Sequence, residues 1–166
     1  MPKVIDTFSQ ACDYWDAGQL HAAFRLFLRG AKEGDPSAQL NLAYFYGEGL
    51  SIRKNRNKEL YWLRKAAKQE YAPAARGIGI IYRQSEKPNT KIIKWFLHAA
   101  QLGDGDAYYD LGRFFLEKVG NSEKAKEYLM MAVSSGAITD AGVEEATVLL
   151  EKIQDQYITA QRCRYD

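Results

Sequence analysis

The chain has 166 residues, of which 46% are hydrophobic and 27% are charged, and its formal net charge is +2 at pH 7. This composition is ordinary for a soluble globular protein, and a chain of this size can bury a sizeable core. No apolar run approaches the roughly 20 residues that a membrane-spanning helix needs, which excludes a transmembrane segment. We therefore expect a single domain over residues 1–166.

Two helices are predicted at the start of the chain, over residues 4–17 and 19–32. Gly18 and Gly34 follow them and favour helix ends at these points. Together the two helices resemble a degenerate copy of a pattern that is clearer downstream. In that alignment Cys12 occupies a small core position, and we expect it to be a buried packing residue rather than a reactive thiol.

The clearest copy of the pattern covers residues 36–71. Asp35 followed by Pro36 is a helix-start signal, because the aspartate can accept backbone N–H groups and proline suits the first helical position. Gly47 and Gly49 are predicted to end this helix, and a partner helix should cover residues 58–69. The first helix carries a set of apolar and small residues on one face: Ala38, Leu42, Ala43 and Tyr46.

The same pattern returns twice more, which is typical of a helical solenoid. The first-helix set recurs as Ala74, Ile78, Gly79 and Tyr82, and again as Ala107, Leu111, Gly112 and Phe115. The second-helix set, Lys58, Trp62, Ala66 and Ala67, recurs as Lys91, Trp95, Ala99 and Ala100, and again as Lys124, Tyr128, Ala132 and Val133. Four repeats, each a pair of helices, are therefore predicted, at residues 4–34, 36–71, 73–103 and 105–136.

The later repeats also contain helix-start signals. Asn89 and Asn121 are predicted N-caps of the second helices of the third and fourth repeats, and Gly136 ends the last repeat. After Gly136 the periodicity changes to that of one long helix over residues 140–162, which we interpret as a cap on the last repeat. The sequence thus predicts an all-α fold, a right-handed α/α superhelical solenoid of about four antiparallel helix pairs with a long C-terminal capping helix.

The second predicted repeat, residues 36–71, resembles the repeats of the Sel1-like repeat family, a branch of the tetratricopeptide-like helical repeat proteins. The matching residues are Ala38, Leu42, Tyr46, Gly47, Gly49, Lys58, Trp62, Lys65, Ala66 and Ala67. The resemblance implies a non-enzymatic adaptor that binds other proteins, with no cofactor. Some bacterial members resemble immunity proteins that inhibit secreted toxins, so an immunity-type inhibitor of a toxin is a more specific hypothesis.

In such solenoids the first helix of each pair lines a concave face, and we predict that a protein partner binds there. Tyrosine and arginine are common anchors of protein interfaces, and both occur at these positions. The predicted partner-binding residues lie between the core positions: Asp13, Asp16, Leu40, Tyr44, Glu48, Arg76, Ile80, Arg83, Tyr109, Arg113 and Glu117.

A basic segment covers residues 53–94, where twelve Lys and Arg residues stand against three acids. Its centre is a loop with four basic residues: Arg53, Lys54, Arg56 and Lys58. Such a segment favours an acidic protein partner, because the rest of the chain is acidic and nucleic-acid binding usually needs a basic domain overall. A nucleic-acid-binding module remains the alternative function, and a structural oligomerisation scaffold is a third.

The sequence predicts no catalytic, cofactor or metal site. His21 and His98 lie in different repeats, and Asp104, Asp106 and Asp110 lack the later glycine and glutamate of a calcium loop. The pair Met130-Met131 is expected in the core. The N-terminal residues do not predict a secretory signal, and Cys12 and Cys163 lie too far apart in a solenoid to pair, so we expect a reduced, cytoplasmic protein.

Overall fold

A computed structural model describes residues 7–162 of the chain, and the side chains up to residue 159. These residues form nine α-helices and one π-helical turn, without a strand. The helices are α1 (Thr7–Asp16), α2 (Leu20–Glu33), α3 (Pro36–Glu48), α4 (Arg56–Ala67), α5 (Ala72–Gln84), α6 (Asn89–Gln101), α7 (Gly105–Phe114), α8 (Ser122–Ser134) and α9 (Asp140–Arg162). The π-helical turn covers Phe115–Val119. The predicted all-α helical-repeat fold is confirmed.

Between Ile81 and Tyr82 the chain divides into two compact units, here called unit 1 and unit 2. In unit 1, α1 packs on α2, α2 on α3, and α3 on α4. In unit 2, α6 packs on α7, α7 on α8, and α8 on α9. These helices thus pack mainly on their neighbours in sequence, which is the contact pattern of a repeat protein. None of the described helices is long and apolar enough to cross a membrane.

The core of unit 1 is built from small residues and aromatic rings. Ala38, Leu42 and Ala43 of α3 are buried, as their periodicity predicts. The ring of Phe45 is also buried, and it contacts the rings of Trp15 and Phe27 at centroid distances of 4.9 and 5.9 Å. Small residues let the helix backbones approach, and the aromatic rings fill the remaining volume.

An aspartate cap and a glycine define the two ends of α3. The Asp35 side chain accepts hydrogen bonds from the backbone N–H groups of Ser37 and Ala38, and Pro36 occupies the first turn, as predicted. At the other end Gly49 adopts a φ of 76°, a left-handed conformation that favours glycine. Gly47 is buried and lies against the carboxylate of Glu59 in α4.

In unit 2, the predicted core residues Ala107, Leu111 and Gly112 of α7 are buried. Gly112 lies against α8, where it meets Leu129, which is fully buried. The last helix, α9, matches the predicted range of residues 140–162, and it packs on α8 with Ala146 buried. Its role as a cap remains a proposal.

Several local predictions are wrong. The N-cap of α6 is Pro88, so Asn89 lies inside the helix and forms no side-chain cap, whereas Asn121 caps α8 as predicted. Met130 and Met131 are 54% and 40% exposed, because the buried side of α8 passes through Ala125, Leu129 and Ala132 instead.

Two further differences concern the start of α4 and the burial of Cys12. The partner helix α4 begins at Arg56, two residues earlier than predicted, because the side chain of Asn55 accepts the backbone N–H of Lys58. Cys12 is half-buried rather than buried, since α1 places Ala11 at the helix contact. Residues 4–6 of the first predicted helix and Cys163 lie outside the described residues.

Candidate interaction surfaces

The predicted binding residues of unit 1 lie on the first helices of its pairs. Leu40, Arg76 and Ile80 are half-buried, and the remaining four are exposed. We call this set the first-helix face of unit 1: Asp13, Asp16, Leu40, Tyr44, Glu48, Arg76 and Ile80.

Tyr44 is the most prominent side chain of this face. It is 50% exposed, and its ring centroid lies 5.6 Å from that of Trp15. Trp15 in turn contacts the buried ring of Phe45 edge-on. An exposed tyrosine that leans on a packed tryptophan loses little conformational freedom when a partner covers it, and this is a favourable property for an interface anchor.

The corresponding residues of unit 2 are engaged in contacts within the unit. Arg83 forms an ion pair with Asp110 at 3.4 Å, and it lies over the ring of Phe96. The side chain of Arg83 is 20% exposed and that of Asp110 is 5% exposed. Arg83 therefore contributes to the packing of α7 as well as to the surface, which the repeat register alone does not show.

Tyr109 departs furthest from the expectation that these positions are accessible. It is only 8% exposed, and its hydroxyl donates a hydrogen bond to the carboxylate of Glu145 in α9. Burial and this hydrogen bond raise the pKa of Tyr109 to about 12. Tyr109 is thus a packing residue between α7 and α9, because the long last helix covers it.

Arg113 and Glu117 pair with each other on the surface of unit 2. The Arg113 guanidinium donates two hydrogen bonds to one carboxylate oxygen of Glu117, at 3.0 and 2.9 Å. This interaction raises the pKa of Arg113, and the guanidinium also lies 5.8 Å from the ring centroid of Tyr109. Both side chains remain accessible, so the two residues can still contact a partner as a pair.

The basic loop of unit 1 contains both exposed and engaged side chains. Arg53, Lys54 and Lys58 are exposed. Arg56 instead forms an ion pair at 3.0 Å with Glu59, whose side chain is 13% exposed. Burial raises the pKa of Glu59, and the charge of Arg56 opposes this shift. Arg56 thus holds a half-buried carboxylate in place in addition to adding charge to the loop.

Beyond this loop, the basic residues continue along the exposed side of α4. We call this surface the outer face of α4: Lys58, Tyr61, Arg64, Lys65 and Lys68. Tyr61 is 51% exposed at its centre. Sequence reasoning missed Tyr61, Lys65 and Lys68 as a surface, although their spacing of three or four residues places them on one side of a helix.

Three acidic residues of unit 2 have structural partners. Asp104 caps α7 by accepting the backbone N–H of Ala107, and Asp106 accepts the backbone N–H and the hydroxyl of Thr139. Asp110 pairs with Arg83, as described above. Over residues 7–162 no cluster of three or more His, Cys, Asp or Glu side chains could hold a metal ion.

Comparison with known families identifies the repeats. A model described as "Sel1 repeat" matches residues 19–35, 36–71 and 105–136, which together make up just over half of the chain. The chain belongs to the Sel1 repeat family. Repeats of this family form non-enzymatic scaffolds for protein interactions. The helix pairs described above are therefore the pairs of a Sel1 repeat protein.

Relatives of this Sel1 repeat chain are longer than the chain itself. An uncharacterized protein of Neisseria meningitidis serogroup B is 30% identical over 111 residues, and the match covers 66% of the chain but 23% of that protein. The crystal structure of a Sel1 repeat protein from Oxalobacter formigenes is 27% identical with a TM-score of 0.75, covering 92% of this chain and 65% of that one. A protective antigen of uropathogenic Escherichia coli with the same repeat fold gives a TM-score of 0.64 at 18% identity, covering 95% of this chain and 47% of that one.

Proposed function

We propose that this protein is a non-enzymatic interaction module that binds a partner protein through the first-helix face of unit 1. The observation that carries the proposal is the exposed ring of Tyr44 resting on Trp15. Membership in a family of protein-interaction scaffolds supports the same function. Exposed aromatic anchors of this kind are enriched among the residues that dominate binding energy.

Charge on this face gives the partner a chemical character. Asp13, Asp16 and Glu48 are all exposed, so the rim around Tyr44 is acidic. Such a rim favours a partner with basic side chains next to an apolar pocket that accepts the tyrosine ring. The acidic protein partner predicted from the basic segment would need a different surface of unit 1.

A more specific version of the proposal is a cytoplasmic immunity-type inhibitor that covers the active site of a bacterial toxin. A scaffold without chemistry of its own can inhibit an enzyme simply by occupying its substrate site. Gene neighbourhood offers an initial test, because immunity genes are expected beside their toxin genes. If the captured partner is an enzyme that retains full activity with an equimolar amount of this protein, the inhibitor version is wrong.

The main test compares two exposed tyrosines. The wild-type chain captures a partner from a lysate of its host, and calorimetry then measures the affinity of purified variants for that partner. Tyr44→Ala should weaken binding by about tenfold or more, as expected for an interface anchor. Tyr157→Ala, which truncates a tyrosine that is 57% exposed on α9, is the matched control and should bind like the wild type. Equal affinity of the Tyr44 variant and the wild type would move the site elsewhere.

The alternative functions give different results in simple measurements. A nucleic-acid-binding module would retain a DNA or RNA probe in gel shifts, and its affinity would fall steeply as salt is raised. A structural oligomerisation scaffold would show a mass in light scattering that increases with protein concentration. A monomeric chain that shifts no nucleic acid and captures a stoichiometric partner is the outcome that the proposed function requires.

A further inference from the structure

The outer face of α4 has a charge pattern that the first-helix face does not explain. From it we infer that Lys58, Tyr61, Lys65 and Lys68 bind an acidic segment of a partner protein. The inference rests on the protein-binding role proposed above, but it concerns a different surface, on α4 rather than on the first helices of the pairs.

The geometry of α4 separates a buried side from a basic side. Trp62, Leu63, Ala66 and Ala67 are buried. Lys58, Tyr61, Lys65 and Lys68 are exposed and follow one another at intervals of three, four and three residues. These intervals keep the four side chains in one stripe, roughly 15 Å long at 1.5 Å per residue. Arg64 adds a further basic residue to this side, and every exposed charged residue of α4 itself is basic.

The charges of the stripe are not neutralised by carboxylates within the described part of the chain. Lys58, Lys65 and Lys68 form no ion pair with any residue there. Two of the ammonium groups contact rings instead: that of Lys58 lies 5.0 Å from the ring centroid of Tyr46, and that of Lys65 lies 5.3 Å from that of Tyr61. Such contacts orient an ammonium group while leaving its positive charge available to an anion.

The helix dipole explains the presence of basic residues at only one end of the stripe. Basic residues near the C-terminus of a helix interact favourably with its dipole, which explains Arg64, Lys65 and Lys68 without a partner. Lys58 and the neighbouring Lys54 lie near the N-terminus of α4, where cations are unfavourable, whereas Arg56 is paired there with Glu59. An acidic ligand across the stripe would remove this unfavourable interaction, whereas solvent only screens it.

Tyr61 gives the stripe an apolar centre. Its ring is half exposed and lies edge-on to Trp62 at a centroid distance of 5.0 Å, so the buried tryptophan supports it. Lys58 and Lys65 lie on either side of Tyr61 along the stripe. A matching ligand therefore has carboxylates on both sides of one apolar side chain, which is a common arrangement in a short acidic peptide segment.

The boundaries of the stripe favour a peptide over a nucleic acid. Glu70 is exposed just beyond Lys68, and Glu48 is exposed close to the loop before α4. A nucleic-acid strand carries a phosphate about every 3.4 Å and would continue past both ends of a stripe of about 15 Å. Its phosphates would then meet these carboxylates, whereas a short acidic segment ends within the stripe.

The test uses the purified full chain with two labelled probes, a decaglutamate peptide and a short DNA duplex, in fluorescence anisotropy at physiological salt. We expect decaglutamate to bind the wild type and the triple variant Lys58→Glu/Lys65→Glu/Lys68→Glu to bind at least about tenfold more weakly. The control Lys118→Glu/Lys126→Glu/Lys152→Glu changes the net charge equally at three exposed lysines of unit 2, and it should bind within about twofold of the wild type. Circular dichroism checks that both variants are folded.

Three results would overturn the inference. One is that decaglutamate does not bind the wild type. Another is that both triple variants weaken binding equally, which would indicate a response to net charge alone. Tighter binding of the duplex than of decaglutamate, lost in the α4 variant, would assign the stripe to nucleic acid instead. Failure of the Tyr44 test leaves these outcomes unchanged, so the two proposals can fail separately.

Discussion

Gly112 of α7 lies against Leu129 of α8 with no space for a side chain between the two helices. A β-carbon at position 112 would lie 2.6 Å from Cγ of Leu129 and 3.2 Å from the carbonyl oxygen of Ala125. Leu129 is fully buried, so its side chain cannot move aside into solvent. The glycine at this repeat position is therefore required by the close packing of α7 on α8.

Gly112→Ala should lower the free energy of unfolding by about 1–3 kcal/mol, the usual cost of overpacking a core. This loss should appear although alanine has the higher helix propensity by about 1 kcal/mol. Urea denaturation of the variant and the wild type measures the difference. The double variant Gly112→Ala/Leu129→Ala should lose less stability than the sum of the two single changes, because the smaller side chain at 129 makes room for the new methyl group.

Gly47→Ala is the matched control. A β-carbon at position 47 would meet the carboxylate of Glu59, which is the end of a flexible side chain and can rotate away. We expect this variant to stay within about 1 kcal/mol of the wild type, since the propensity gain offsets the displaced contact. A Gly112 variant as mild as the Gly47 variant would show that α7 and α8 adjust more easily than the structure indicates.

Two asparagines predicted as caps should respond differently to truncation. The side chain of Asn121 accepts the backbone N–H of Lys124 at 2.9 Å, so Asn121→Ala should cost about 1 kcal/mol. Asn89 forms no cap, because α6 begins after Pro88, so Asn89→Ala should change stability by less than about 0.5 kcal/mol. Thermal or urea unfolding of both variants makes the comparison. Equal losses would mean that Asn89 has a stabilising role that its position in α6 does not reveal.

The sequence predicts the core of this fold well because the core depends on local periodicity. Ala38, Leu42 and Ala107 recur at helical spacing, and all three are buried. The surface could not be predicted in the same way, since exposure depends on which distant element covers a position. Tyr109 is covered by α9 through Glu145, a residue 36 positions away that no repeat register connects to it.

Arg83→Met tests whether the ion pair with Asp110 supports unit 2. The Asp110 side chain is only 5% exposed, so loss of its cationic partner leaves a poorly solvated carboxylate. We expect the free energy of unfolding to fall by about 1.5–3 kcal/mol, the range for hydrogen bonds to charged groups. Methionine keeps the apolar length of the side chain, so the change reports mainly on charge.

Arg113→Met provides the control for this measurement. Arg113 pairs with Glu117, whose side chain is 45% exposed, and an exposed pair should contribute no more than about 1 kcal/mol. Urea denaturation of both variants in the same buffer gives the comparison. If the Arg83 variant were as stable as the Arg113 variant, the ion pair of Arg83 would contribute little to the stability of unit 2. That result would favour the predicted role of Arg83 in partner binding.

The hydrogen bond between Tyr109 and Glu145 should make stability depend on pH in the alkaline range. The pKa of Tyr109 is raised from its ordinary value of 10 to about 12 in the folded protein. Below pH 10 the tyrosine is protonated in both the folded and the unfolded states, so its contribution is fully present. Between these values the unfolded state releases the proton while the folded state keeps it, and the contribution is lost as pH rises.

Tyr109→Phe removes both the hydrogen bond and the titration, so it isolates this effect from the other tyrosines and the lysines. The wild type should be more stable than the variant by an amount that is constant below pH 10 and shrinks as pH rises toward about 12. Urea denaturation at a series of pH values measures this difference. In Glu145→Gln the acceptor loses its negative charge, which lowers the folded-state pKa of Tyr109, so the decline should still begin near pH 10 but end at a lower pH. A difference that stays constant through the alkaline range would show that Tyr109 does not hold its proton more tightly in the folded state.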